Sequence, residues 1–336
     1  MALNEPQPAR GESLLAVEGL VTAFPTSSGV AIAANHVSFS IAPGETLGLV
    51  GESGSGKSVT CRSILRLVPR PGEILDGSIY FEGKDVLALP ARELRAIRGA
   101  EISMIFQDPM SSLNPVYTIG DQISEPLRMH RGMARRAARA EAKQLLDRVG
   151  IPSPRERLDA YPHELSGGMR QRVMIAIAIS CKPKLLLADE PTTALDVTIQ
   201  DQILSLLLDL QADEGMAILL VSHDLGVIAR TCDRVCVMYG GYVVEESPAA
   251  AIFERSKHPY TAALLRALPE LAVEHEGRRL TPIPGQPPDL ADLPDGCPFR
   301  PRCGFVRPAC AEVPMILEPA GPEHWTACPF AAAGTL

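Results

Sequence analysis

The chain has 336 residues, 46% of them apolar, and a formal net charge of −8. This length and apolar content suffice to bury a core and exclude a disordered chain. The acidic balance argues against a general nucleic-acid binder, and no apolar run reaches the roughly 18 residues that would cross a bilayer.

The first ten residues are polar and contain Pro6 and Pro8, without the apolar stretch of a secretory leader, so the expected location is the cytosol. Patterning predicts strands over 14–24 and 30–41. The continuous apolar run over 46–50 predicts a strand buried on both faces. Directly after it comes Gly51-Glu-Ser53-Gly54-Ser55-Gly56-Lys57-Ser58-Val59, which matches G-x-x-x-x-G-K-[ST] and leads into a predicted helix over 58–68. Glycines let the backbone turn its N–H groups onto a phosphate, at a helix start that already favours anions. Lys57 would neutralise the β- and γ-phosphates and Ser58 would ligate Mg²⁺. A Gly/Ser-rich turn before a helix is the plainer alternative, and the correct flanks on both sides weigh against it.

A strand over 102–106 leads to Gln107. Between 108 and 178 strand signals vanish, and a helical subdomain over about 108–180 is expected, inserted in the α/β core. A helix over 131–149 presents a basic face of Arg131, Arg135, Arg136 and Arg139, which is expected to be solvated. Leu165-Ser166-Gly167-Gly168-Met169 then precedes a predicted helix over 170–180. Ser166 and the N–H groups of Gly167 and Gly168 can form a second anion-binding helix start, although Ser166 would also serve as an ordinary N-cap. One nucleotide does not need two such cradles from one chain, so a dimer is expected in which this element covers the partner's nucleotide.

The apolar run over 185–188 ends in Asp189-Glu190, at the strand edge where α/β ligands bind. Asp189 would hold Mg²⁺ and Glu190 would orient or deprotonate the attacking water. A further strand over 217–221 follows, and the βα alternation predicts a doubly wound α/β core. Cys61, Cys181, Cys232 and Cys236 lie among apolar residues and are expected in the core. From about residue 271 the chain is rich in Pro and Gly. Cys297, Cys303, Cys310 and Cys328 crowd into this tail, two of them followed by Pro. Four thiolates on irregular loops suit a [4Fe–4S] cluster, with zinc or free or disulfide-bonded thiols as alternatives. His324 and Trp325 are expected to pack rather than ligate.

Over about 14–267 these motifs make the chain resemble the ABC ATPases. The stretch 51–58 is similar to the Walker A loop, 185–189 to Walker B and 165–169 to the family signature, whose final Gln is replaced here by Met169. The resemblance implies further roles. Gln107 is similar to the Q-loop glutamine at Mg²⁺ and water, Asp196 belongs to a D-loop at the dimer interface, and His223 resembles the switch histidine at the γ-phosphate. Phe24 is placed where an aromatic stacks on adenine, and a core Phe is the alternative. Within the family, 48–58, 106–115, 161–166, 169–174 and 258–261 resemble the ATPases of oligopeptide, dipeptide and nickel importers, of the D-subunit type. That implies a nucleotide-binding domain over 1–260, an extension over 261–336 with the four-cysteine site, and import of peptides, or of nickel or glutathione, powered by ATP with Mg²⁺. The implied partners are a second ABC ATPase in a homo- or heterodimer, two membrane permeases and an extracytoplasmic substrate-binding protein, with no nucleic acid. The implied location is the cytoplasmic face of the inner membrane. A soluble ABC ATPase outside transport is the rival reading.

Overall fold

Strand β1 (Leu15–Thr26) pairs antiparallel with β2 (Gly29–Ile41) across a tight turn, and its other edge takes β4 (Glu73–Phe81), which in turn takes β5 (Lys84–Asp85). The computed structural model describes residues 13–108, 112–193, 195–267 and 282–335. By their contacts these fall into two units. One comprises Met1–Ala42, Thr46–Leu87 and Leu220–Leu336, the other Pro43–Glu45 and Ala88–Leu219.

In the first unit β3 (Thr46–Val50) is wholly buried, as its unbroken apolar sequence requires. It pairs parallel with β9 (Arg234–Tyr239), which turns through Gly240 and Gly241, both at positive φ, into antiparallel β10 (Tyr242–Pro248). The antiparallel strands β12 (His324–Thr326) and β11 (Glu318–Gly321) extend that edge, so the sheet is mixed. The tail strands are three and four residues long and carry no alternation, which is why patterning misses them. His324 explains their place: its Nε2 meets the buried Glu245 Oε1 at 2.7 Å.

In the second unit β6 (Ile102–Ile105) runs parallel to β7 (Leu185–Asp189), pairing Ile102 with Leu185 and Ile105 with Ala188. Strand β8 (Ala217–Ser222), buried throughout, carries the chain from the second unit back to the first. Between β6 and β7 the described elements are all helical: Ile119–Arg131, Arg135–Arg148, Pro154–Arg157, a 3-10 turn and Gly167–Ile179.

Three local expectations are corrected. The helix after the phosphate loop spans Lys57–Ile64 and stops short of 68, because Leu65 leaves helical geometry and Arg66 turns to φ 51°. The helix expected over 131–149 is broken: Gly132, left-handed at φ 63°, ends one helix and the next begins at Arg135. Its basic face is ion-paired at the surface, Arg131 with Glu141 at 3.7 Å and Arg139 with Asp159 at 2.5 Å. Finally, Cys61 and Cys236 are buried as expected, whereas Cys181 and Cys232 are only partly so.

Candidate active site

The phosphate loop connects β3 to the helix Lys57–Ile64. Gly51, Gly54 and Gly56 adopt φ of 153°, 80° and 103°. A Cβ at Gly51 would stand 2.2 Å from the Met238 carbonyl oxygen, and one at Gly56 1.9 Å from that of Ala33. Glycine is therefore required at both positions on conformation and on space. Gly56 caps the helix, and no side chain bonds to the cap, so the helix start is left to its backbone N–H groups. Lys57, 4% exposed, folds its ammonium back into the loop, donating to Gly51 O at 2.7 Å and Glu52 O at 2.9 Å. These are positions that phosphate oxygens could replace. Ser55 is buried in the loop and Ser58 partly so.

Gln107 and Glu190 come together in the second unit. Because Ile105 faces Ala188 across parallel strands, the residues two further on emerge side by side at the carboxyl edge. Gln107 Nε2 donates to Glu190 Oε2 at 3.0 Å, and Thr193 Oγ1 donates to the same oxygen at 2.8 Å. Thr193 is a partner that the sequence motifs do not single out. Its distance of three residues from Glu190 across a turn was the available signal. Glu190 sits at φ 47°, a left-handed conformation uncommon outside glycine. Asp189, the last residue of β7, is fully buried.

The signature segment lies at the start of the helix Gly167–Ile179. Ser166 is exposed and its Oγ accepts the Met169 N–H at 3.4 Å, the N-cap geometry allowed for from sequence. Arg170 pins the preceding turn by donating from Nε to the carbonyls of Pro162 and Leu165, each at 3.0 Å. Asp196 caps the helix Val197–Glu214, its Oδ1 accepting from Ile199 N. In the first unit, His223 is exposed, just beyond β8. Phe24 is partly buried and its ring lies against Gly72, where a Cβ would come within 2.3 Å of the ring.

Cys297, Cys303, Cys310 and Cys328 line one small pocket with Phe299 and Phe330 among its apolar walls. Burial raises the Cys297 thiol to about 11 and also pushes up those of Cys303 and Cys328, the neighbouring thiols adding to each shift. Every one of the four sulfurs receives a backbone N–H. Phe305 N donates to Cys303 and Arg307 N to Cys310, both at 3.4 Å, while Phe299 N bonds Cys297, and Phe330 and Ala331 N bond Cys328. The donor chemistry fits a thiolate-bound group. Among the described residues, however, no three His, Cys, Asp or Glu side chains are grouped so as to hold a metal ion, so the expected metal site is not shown.

Comparison with known proteins accords with this geometry. Residues 34–193 match the ABC transporter family, and residues 244–310 match the oligopeptide/dipeptide transporter C-terminal region. The chain is 49% identical to the oligopeptide transport ATP-binding protein OppD of Salmonella typhimurium, over 97% of this chain and 96% of that one. It is 51% identical to the dipeptide transport ATP-binding protein DppD of Escherichia coli, over 90% and 93% respectively. An ATP-binding cassette solved as a dimer in a post-hydrolysis state with ADP and Pi is similar in structure. Its TM-score is 0.64 at 29% identity, covering 70% of this chain and 98% of that one.

Proposed function

This chain belongs to the ABC transporter ATPases, and from that premise we propose that it powers the import of di- or oligopeptides through partner permeases. The observation that carries the reading is the phosphate loop itself, a glycine cradle closed by Lys57 on two backbone carbonyls that phosphates could displace. The likeness to OppD and DppD over at least nine-tenths of each chain supports peptide import over nickel or glutathione import. It equally supports transport over a soluble role elsewhere. No helix among the described residues is long and apolar enough to cross a membrane.

In the proposed cycle Gly51, Ser53, Gly54, Ser55, Gly56 and Val59 present backbone N–H groups to the nucleotide, and Lys57 moves from Gly51 O and Glu52 O to the β- and γ-phosphates. Ser58, Asp189 and Gln107 carry the oxygens suited to Mg²⁺, which when bound supplies charge neutralisation between the phosphates. Glu190, held by Gln107 and Thr193, orients or deprotonates the attacking water, and His223 hydrogen-bonds the γ-phosphate. Ser166, Gly167 and Gly168 cover the nucleotide of a second ATPase subunit, with Asp196 at that interface. The dimeric cassette among the similar structures supports this arrangement. Phe24 would contribute the base-facing aromatic.

The domain reading follows: a nucleotide-binding domain over 1–260 and a C-terminal extension over 261–336, the former working at the cytoplasmic membrane face. For the extension, a [4Fe–4S] cluster on Cys297, Cys303, Cys310 and Cys328 is supported by the backbone N–H given to every sulfur, since such bonds favour thiolates, with zinc as the alternative group. Iron and sulfide analysis of anaerobically purified protein checks it; stoichiometric zinc, or neither, defeats it.

The decisive experiment is reconstitution with the permeases and the substrate-binding protein, following labelled dipeptide uptake and phosphate release together. Uptake should require ATP and stop with Lys57→Ala. Undiminished ATP binding by Lys57→Ala would defeat the loop assignment, and ATP-driven uptake of nickel but not peptide would defeat the substrate.

A further inference from the structure

Arg302 belongs to the tail, one residue before Cys303, yet its guanidinium ends on the phosphate loop. Its side chain is 5% exposed. Nη1 and Nη2 donate to Glu52 Oε2 and Oε1 at 2.6 and 3.0 Å, a bidentate fork joining residues 250 apart in sequence. Nε donates to Pro284 O at 2.8 Å, and Nη1 also reaches Tyr239 Oη at 3.2 Å. Behind it Tyr239, Tyr260 and Phe299 form a packed aromatic cluster, with ring centroids 4.4 to 5.3 Å apart. Such a fork is rigid and geometrically specific in a way a lysine is not.

Its target is an odd residue for its place. Glu52 puts a carboxylate inside a loop built to attract anions, directly after Gly51. Left unpaired it would repel a polyphosphate at short range, in surroundings where charge is poorly screened. Glu52 is held through its side chain and through both of its backbone polar groups. Arg302 takes the carboxylate, its N–H donates to Tyr260 Oη at 2.8 Å, and its C=O accepts from Lys57 Nζ at 2.9 Å. The third contact is the one lost when Lys57 turns to the phosphates. What then keeps residue 52 in position comes from Tyr260 and Arg302, with the Ser55 N–H still donating to its carbonyl at 3.2 Å.

We propose that Arg302 is a positioning residue for ATP binding: it cancels the Glu52 charge and keeps the phosphate loop in its nucleotide-receiving shape once Lys57 has left the loop carbonyls. The C-terminal tail is thereby part of the ATP site and not only an appendage to it. This inference rests on the reading of Gly51–Ser58 as the ATP loop, and the test separates the two. A staple that merely fastens the tail would lower stability without regard to which charge remains. A charge-cancelling positioner makes a sharper statement, because removing Glu52's charge should repair the loss of Arg302.

The test is ATP affinity by calorimetry on the full chain, with KM and kcat for hydrolysis and a melting curve for each variant. Arg302→Met should weaken ATP binding on the order of tenfold and raise KM with it. Arg302→Met combined with Glu52→Gln should regain most of that affinity although the fork is still missing. Arg302→Lys, which keeps the charge and loses the fork, should fall between wild type and Arg302→Met. If Arg302→Met does not fold, Arg302→Lys carries the test through its raised KM. Unchanged affinity and KM in the single variants, or a double variant as weak as Arg302→Met, overturns the proposal. A wild-type chain that fails to bind ATP overturns the loop reading and this inference together.

Discussion

Gln107 and Glu190 are 83 residues apart and meet at 3.0 Å, the amide donating to the carboxylate proposed to act on the attacking water. The meeting is a consequence of register, since β6 and β7 run parallel with Ile105 opposite Ala188. It links a glutamine proposed to stand at Mg²⁺ to the carboxylate proposed to promote hydrolysis. Its consequence can be measured at either end.

Glu190→Gln should keep ATP binding and lose turnover by about 10²- to 10⁴-fold, the usual contribution of a positioned base. Single-turnover phosphate release at close to the wild-type rate would remove Glu190 from that role.

Thr193→Val strips one of the two hydrogen bonds from Glu190 Oε2 while leaving Gln107 in place. A loss of order 1 kcal/mol in carboxylate positioning corresponds to a fall of about fivefold in kcat, with KM for ATP unchanged. Steady-state kinetics decide it, and a change confined to KM would show that Thr193 acts on binding instead.

Gly56→Ala should be among the most damaging small substitutions. Its Cβ would lie 1.9 Å from the Ala33 carbonyl oxygen at a φ of 103°. The conformational strain alone is about 1–3 kcal/mol, before the clash is counted. The expected outcome is lost nucleotide binding together with a lowered denaturation midpoint; Gly83→Ala, also at positive φ but with open space around it, should be far milder.

Ser166→Ala removes the hydroxyl that caps the helix Gly167–Ile179 and should cost about 1 kcal/mol of stability by that route. Should the segment also cover a partner's nucleotide, ATP hydrolysis falls far more than this loss explains, with affinity of the isolated chain for ATP retained. A variant that is slightly less stable and fully active would confine Ser166 to capping.

The fifth expectation concerns pH. His258 is buried and held neutral, its pKa lowered to about 4 chiefly by burial, against an opposing pull from Glu245. Neutral imidazole suits its surroundings: Nδ1 accepts the Tyr260 N–H, while Glu245 takes N–H groups from Lys257 and His258 and meets His324 Nε2. Since the unfolded chain binds this proton at an ordinary pKa of about 6.5, it holds more protons than the folded one between 6.5 and 4. The stabilisation is therefore complete above about 6.5 and declines by roughly 1.4 kcal/mol per pH unit below it. Urea titrations from pH 7 to 5 should show the decline, and His258→Asn should flatten it; an equal slope in both would assign it to other groups.

Much of the site was legible because its chemistry is local. Gly51–Ser58 needs glycines at particular φ values beside a lysine and a hydroxyl, and eight adjacent residues carry all of that information. Asp189 and Glu190 likewise follow an apolar run whose burial their position at the strand edge demands. Helix limits were less legible. Gly132 ended one helix and separated it from the next, yet the apolar spacing on either side continued as though unbroken. The tail was nearly opaque: β11 and β12 are too short for periodicity to register, and their pairing is stabilised by His324 on a buried Glu245.

The sequence by itself determined what could bind: a loop able to receive phosphates, two carboxylates to follow it and a membership in the ABC ATPases, all written in contiguous residues whose spacing is the chemistry. Only the tertiary structure decided which distant groups act on them. Thr193 and Gln107 converge on Glu190, and Arg302 reaches back to neutralise Glu52. No spacing rule encodes such pairs, because a hydrogen bond or an ion pair depends on separation in space, and that is set by strand register and by the packing of the tail.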